Sequence, residues 1–193
     1  MPLSAPPVPV LALGGGAGSG KTTLAEQVAK ALPGAQVVHL DGCFHTAHDR
    51  APVVPAIKGC GFVIDYSNPL ALDWDRVQQS VDRAVYPDTR LLVVEGTFAL
   101  LPPLRSVARW TAYVDTPADL RLARKTLRKI SDGADPEISL RGYLAYGRDS
   151  FDRHVAPIQS TADLALDGTR TIAEQVQQVL ETVSPALGAA VQV

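Results

Sequence analysis

Only two cysteines occur in 193 residues, Lys and Arg do not outnumber Asp and Glu, and no apolar run reaches membrane-spanning length. Each scarcity excludes something. The segment Met1 to Pro9 lacks a basic stretch and a long apolar core, so no signal peptide is expected. With two cysteines, that points to reduced thiols and a cytoplasmic location. A formal net charge of −2 argues against a nucleic-acid partner, whose affinity would come largely from clustered Lys and Arg on phosphates. The absence of a span argues against a membrane partner; a homo-oligomer stays compatible. No internal repeat is present. Hydrophobic residues make up 46% and charged residues 20%. That balance, at this length, supports a core without disulfide or structural metal. One domain over residues 1–193 is expected.

Apolar runs and helical periodicities alternate along the chain. Strands are expected at Val8–Leu13, Gln36–Leu40, Arg90–Val94, Trp110–Val114 and Ala162–Leu166. Helices are expected at Lys21–Leu32, Asp73–Val85, Phe98–Val107, Pro117–Ile130, Glu137 to about Val155, and Thr171–Val183, with Asp73 as an N-cap. This order predicts an α/β fold with a parallel sheet covered on both faces, and ligands at the carboxyl ends of its strands. Residues 41–72 carry little periodicity and read as a long acceptor-side connection.

The segment Gly15-Gly16-Ala17-Gly18-Ser19-Gly20-Lys21-Thr22 matches G-x-x-x-x-G-K-[ST] between a strand and a helix. Glycines let successive N–H groups turn inward onto phosphates, and the helix start adds favourable partial charge. The motif predicts ATP bound by residues 15–22 and Thr23, with Lys21 on the β- and γ-phosphates and the Thr22 hydroxyl on Mg²⁺. Asp41 and Glu95 each follow an apolar strand and precede glycine. One carboxylate near a transferring phosphate can take the proton of an attacking hydroxyl, while another holds Mg²⁺; Glu95 is the expected metal partner of Thr22.

Arg121, Arg124, Lys125, Arg128 and Lys129 recur along one helical face. Two readings stand: cations that close over ATP as a lid at about residues 121–141, or a solvated face paired with Asp115, Asp119 or Asp132. Arg121 and Arg124 are the expected phosphate contacts. Phe44, His45 and Tyr66 are candidates to line an acceptor pocket, with Tyr143, Tyr146 and Arg148 either facing it or packing elsewhere. Arg170 is a candidate to flank the adenine. Cys43, His45, His48 and Cys60 lack the tight spacing usual in zinc sites.

Together with Leu40-Asp41-Gly42-Cys43-Phe44, Asn68-Pro69, Asp73-Trp74-Asp75, Val94-Glu95-Gly96-Thr97-Phe98, Tyr113 to Arg124, His154 to Pro157 and Ala162-Asp163-Leu164, the glycine loop makes an order of segments that resembles the uridine kinase and phosphoribulokinase superfamily. The closing Asp167-Gly168-Thr169 is also similar to nicotinamide riboside kinases. The resemblance implies a P-loop NTPase fold with a five-stranded parallel sheet and a mobile lid, Asp41 as catalytic base, and a nucleoside-like small-molecule acceptor. Nucleoside-directed members commonly place an aspartate after the aromatic of the Tyr66 region; here Ser67 stands there and Asp65 precedes Tyr66. A ribose acceptor is therefore expected to depend on Asp65. Asp41-Gly42 is closer to pantothenate kinase-like members. Uridine or cytidine is the first expected acceptor, then nicotinamide riboside, then pantothenate or a sugar. A regulatory P-loop ATPase is the alternative of another class.

Overall fold

A computed structural model describes residues 3–188. The chain runs β1 (Val10–Gly15), α1 (Lys21–Ala31), β2 (Ala35–His39), a 3₁₀ turn (Leu40–Cys43), β3 (Val53–Pro55), β4 (Phe62–Ile64), α2 (Trp74–Arg83), β5 (Leu91–Glu95), α3 (Pro102–Arg105) and β6 (Trp110–Asp115). It continues through α4 (Ala118–Ser131), α5 (Pro136–Gly142), a π-helical turn (Tyr143–Gly147), α6 (Arg148–His154), α7 (Ala156–Gln159), β7 (Leu164–Asp167) and α8 (Ile172–Leu187). Among the described residues no helix is long and apolar enough to cross a membrane.

Five strands form a parallel sheet in the order β2-β5-β1-β6-β7. Their sequences lack polar alternation because both faces are covered. Side chains nevertheless alternate between two cores with the period of two that a strand imposes. Val10, Ala12, Leu92 and Val94 pack on the side of α2 and Phe98, whereas Leu11, Leu13, Leu91 and Val93 pack against Leu24 and Val28 of α1 and Val179 and Val183 of α8. Asp73 caps α2 by accepting from the N–H groups of Asp75 and Arg76, as its position predicts. Thr171 and Glu174 close a capping box on α8.

Three differences from the sequence reading have physical causes. Strand β1 runs to Gly15, two residues beyond the apolar run, because Gly14 and Gly15 still pair with Tyr113 and Val114 of β6. The long connection contains the antiparallel hairpin β3–β4, whose short strands expose Val53 and Phe62 and so carry no periodicity. The helix expected from Glu137 to Val155 is interrupted by the π turn, which shifts the facing of Tyr143 and Phe151 relative to a straight helix.

Leu24 is fully buried between α1 and the sheet. Leu24→Ala should cost about 2–5 kcal/mol, the range for a large-to-small core change, read as a drop in the denaturation midpoint at constant m-value.

Candidate active site

The parallel order sets three strand ends side by side. Leu13 of β1 and His39 of β2 both stand in register with Glu95 at the end of β5. The loop after β1 therefore opens beside Glu95 and enters α1 at Lys21. Within the loop the Ser19 N–H donates to the Gly16 carbonyl at 3.0 Å. Gly18 has φ +85°, a left-handed conformation that disfavours a side chain, and a Cβ there would also overlap the Arg121 carbonyl.

Glu95 is buried. Its Oε1 accepts from Thr22 Oγ1 at 3.2 Å and from His39 Nδ1 at 2.7 Å. Its Oε2 is buried with no partner. An ionised carboxylate held this way lacks part of the charge compensation that burial demands. The Thr22 hydroxyl beside that orphaned oxygen makes a hard oxygen donor pair that fits a divalent cation such as Mg²⁺. Among the described residues no three His, Cys, Asp or Glu side chains converge as a self-sufficient metal cage. Cys43 is buried beside Ser80, and Cys60 is exposed.

A cleft of about 520 Å³ lies in front of this edge. Lys21, Thr22, Asp41, Phe44, His45 and Tyr66 all line it. Asp41 is exposed on the 3₁₀ turn after β2. Phe44 meets Tyr66 edge-on at 5.3 Å and Phe98 at 6.4 Å. His45 is held by Asp73, with 3.2 Å between Nδ1 and Oδ2.

The basic helix splits its cations by position. Arg121 is buried: its Nε donates to the Thr116 carbonyl at 3.0 Å, and its guanidinium stacks 3.8 Å from the Phe151 ring centroid. It sits so close to Gly16 that a Cβ there would overlap Nη1. Arg121, Lys125 and Arg128 line the cleft. Burial pushes the Lys125 ammonium below its ordinary value, helped by the charges of Lys129 and Arg128. Among the described residues no carboxylate lies within ion-pair distance of Lys21, Arg121, Lys125 or Arg128. Arg124, one position from that row, instead donates to the carbonyls of Gly168 at 3.1 Å and Ser19 at 3.5 Å.

Two candidates stand apart from this cleft. The Asp65 carboxylate turns back on its own loop, where Oδ1 accepts from the Ser67 N–H at 3.0 Å and from the Ser67 hydroxyl. Arg170 is exposed at the start of α8 and pairs with Glu174 at 3.3 Å. Sequence reasoning missed four residues near the cleft: His39 against Glu95, and Arg76, Thr97 and Phe151 in the lining. Thr97 could have been found from its place two residues after Glu95. Phe151 carries no local signal.

No protein-family model matches the chain. It is similar to a uridine kinase of Deinococcus deserti, at 28% identity over 81% of this chain and 86% of that protein. A uridine kinase of Bacillus pumilus is 25% identical over 81% of this chain and 85% of its own length. Among solved structures, a Silicibacter sp. TM1040 protein described as a fructose transport system kinase superposes with a TM-score of 0.58. It is 22% identical and covers 86% of this chain and 92% of its own. The fold is that of P-loop kinases.

Gly18→Ala combines left-handed strain with a backbone overlap at the base of α4. It should weaken binding of a fluorescent nucleotide at least ~10-fold, since αL strain alone costs about 1–2 kcal/mol, while far-UV circular dichroism stays that of a folded α/β chain.

Proposed function

We propose that this protein is an ATP-dependent kinase that transfers the γ-phosphate to a hydroxyl of a small metabolite. The observation that carries the reading is one cleft lined by the glycine loop, the Asp41 carboxylate and cations without carboxylate partners. The similarity to uridine kinases supports it.

In this reading, backbone N–H groups of residues 15–22 hold the β- and γ-phosphates, and Lys21 and Arg121 compensate their charge. Thr22 and Glu95 would hold Mg²⁺, which supplies charge neutralisation on the phosphates when bound. His39 fixes the Glu95 carboxylate by donating to Oε1. Lys125 and Arg128 add positive charge from α4, and Arg124 braces the loop through the Ser19 and Gly168 carbonyls rather than touching phosphate. Asp41 orients the acceptor hydroxyl and takes its proton. Phe151 and the π turn, through Tyr143 and Gly147, line the cleft as well.

A nucleoside-like acceptor is supported by the relatives' names and by the aromatic surface of Phe44 and Tyr66. A second reading, a sugar or hydroxy acid such as pantothenate, is favoured by the commitment of Asp65 to Ser67. A ribose diol needs a carboxylate partner, and Asp65 gives one oxygen to Ser67 and is not among the residues lining the cleft.

Lys21→Ala should abolish turnover in a folded protein, and near-normal phosphoryl transfer would defeat the reading. Asp41→Asn should lower kcat by about 10²–10⁴ while ATP affinity stays within a few-fold; an equal loss of ATP affinity would make Asp41 a metal or structural residue instead.

Lys125 gives a pH signature. Its ammonium is depressed in the free protein, and a bound phosphate would favour the charged form and raise it again. Binding of ATP should therefore take up protons between the depressed value and the ordinary lysine range. Affinity should fall as pH rises through the depressed value. Calorimetry in buffers of different ionisation enthalpy reads the uptake, and Lys125→Met should remove it.

A further inference from the structure

We infer that the acceptor carries an anionic group, a carboxylate or a phosphate, read by Arg76. This rests on the kinase reading and narrows its substrate class.

Arg76 lines the cleft from α2, on the side of Asp41, Phe44 and His45. Its Nη1 donates to the Phe44 carbonyl at 2.8 Å, which fixes the guanidinium and leaves the rest of its donor fork free. Among the described residues no carboxylate lies within ion-pair distance of it. Asp73, on the preceding turn, is already committed. Asp73 Oδ1 accepts from the N–H groups of Asp75 at 3.1 Å and Arg76 at 3.2 Å, and Oδ2 holds His45. Asp65 Oδ1 is engaged by Ser67, and Asp65 is not among the residues lining the cleft.

The inventory on this side of the cleft is therefore unbalanced. Among the described residues Asp41 is the one carboxylate that lines it, and in the kinase reading the reacting hydroxyl uses that group. A guanidinium can only donate, so it offers nothing to the hydroxyl protons of a neutral diol. It matches a carboxylate or phosphate, whose oxygens accept two parallel N–H bonds from such a fork. The cations on α4 belong to the ATP side; Arg76 is on a different helix and is not needed there.

The test is ADP release over three sets of acceptors. Hydroxy acids (pantothenate, shikimate, glycerate) are each paired with their methyl esters, ribose 5-phosphate is paired with ribose, and uridine and cytidine are the neutral nucleosides. Wild type should prefer an acid over its ester, or the phosphorylated sugar over the free one, by about 10- to 100-fold in kcat/KM, the worth of a charge-assisted hydrogen bond. The first pair identifies a carboxylate and the second a phosphate. Arg76→Gln should erase the preference through KM for the anionic member, and Arg76→Lys should keep part of it. Calorimetric binding of the preferred anion in the presence of a non-hydrolysable ATP analogue should lose affinity in the same order.

Preference for uridine or cytidine, with Arg76→Gln indifferent, would overturn this inference and leave the kinase standing. Equal loss for acid and ester in Arg76→Gln would reduce Arg76 to a brace for Phe44 and also overturn it. A protein that binds ATP yet phosphorylates nothing in the panel would overturn the kinase reading and this inference with it.

Discussion

A carboxylate buried at the end of the middle strands organises this molecule. Glu95 closes β5 between β2 and β1, where His39 of β2 and Thr22 of α1 both donate to one oxygen and the other is left unsatisfied. Removing an ionised carboxylate from water is costly, and the cost is recovered only when opposite charge or full hydrogen bonding meets it. The surroundings are arranged accordingly. Thr22 leads the hydroxyl row at the start of α1, His39 stands in register on β2, and the glycine loop opens beside them. The parallel order β2-β5-β1 creates that adjacency, and other strand orders would scatter these groups.

The phosphate loop and the basic helix are a single mechanical unit. Gly16 and Gly18 lie so close to Arg121 that neither position has room for a methyl group. Thr116 Oγ1 donates to the Ser19 carbonyl at 3.2 Å, and Arg124 ties that same carbonyl to Gly168 before α8. Thr116 and Arg124 thus both donate to the Ser19 carbonyl, and Arg124 links it to the segment before α8. A change in loop geometry must be felt at the base of α4, and the reverse, because contacts this close leave no slack.

The main strands were legible because burial on both faces demands unbroken apolar runs, and β5 is Leu91-Leu92-Val93-Val94 before its acid. The glycine loop was legible because its backbone needs those residue types in that order. Helical periodicity found the basic face of α4 but could not divide it, since a turn of about 100° separates successive residues and only the neighbouring loop decides which side chain meets carbonyls. Hence Arg121 and Arg124, equal in the sequence, have different partners. Asp65 shows the opposite limit. Proximity to Tyr66 suggested a ligand, but an aspartate two residues before a free N–H closes an Asx turn on itself. Arg76 carried no signal at all, because only the tertiary position of Phe44 turns it toward the cleft.

The hairpin that sequence left as loop explains how the two sides of the cleft are joined. Lys58, in the β3–β4 turn, pairs with Asp135 at 2.5 Å and Glu137 at 3.1 Å at the start of α5. Tyr146 Oη donates to the Pro55 carbonyl at 3.4 Å. These contacts tie the acceptor-side connection to the helices that follow α4. All three charges of the latch are in water, where solvent screening keeps such pairs weak. Phe62, Val63 and Ile138 nearby in the chain are exposed. A tie of this kind contributes little free energy. The buried ties, at Ser19 and Glu95, hold the phosphate side fixed. The rigid half of the site is thus built on the sheet, and the half that has to admit and discharge a substrate is built on exposed turns.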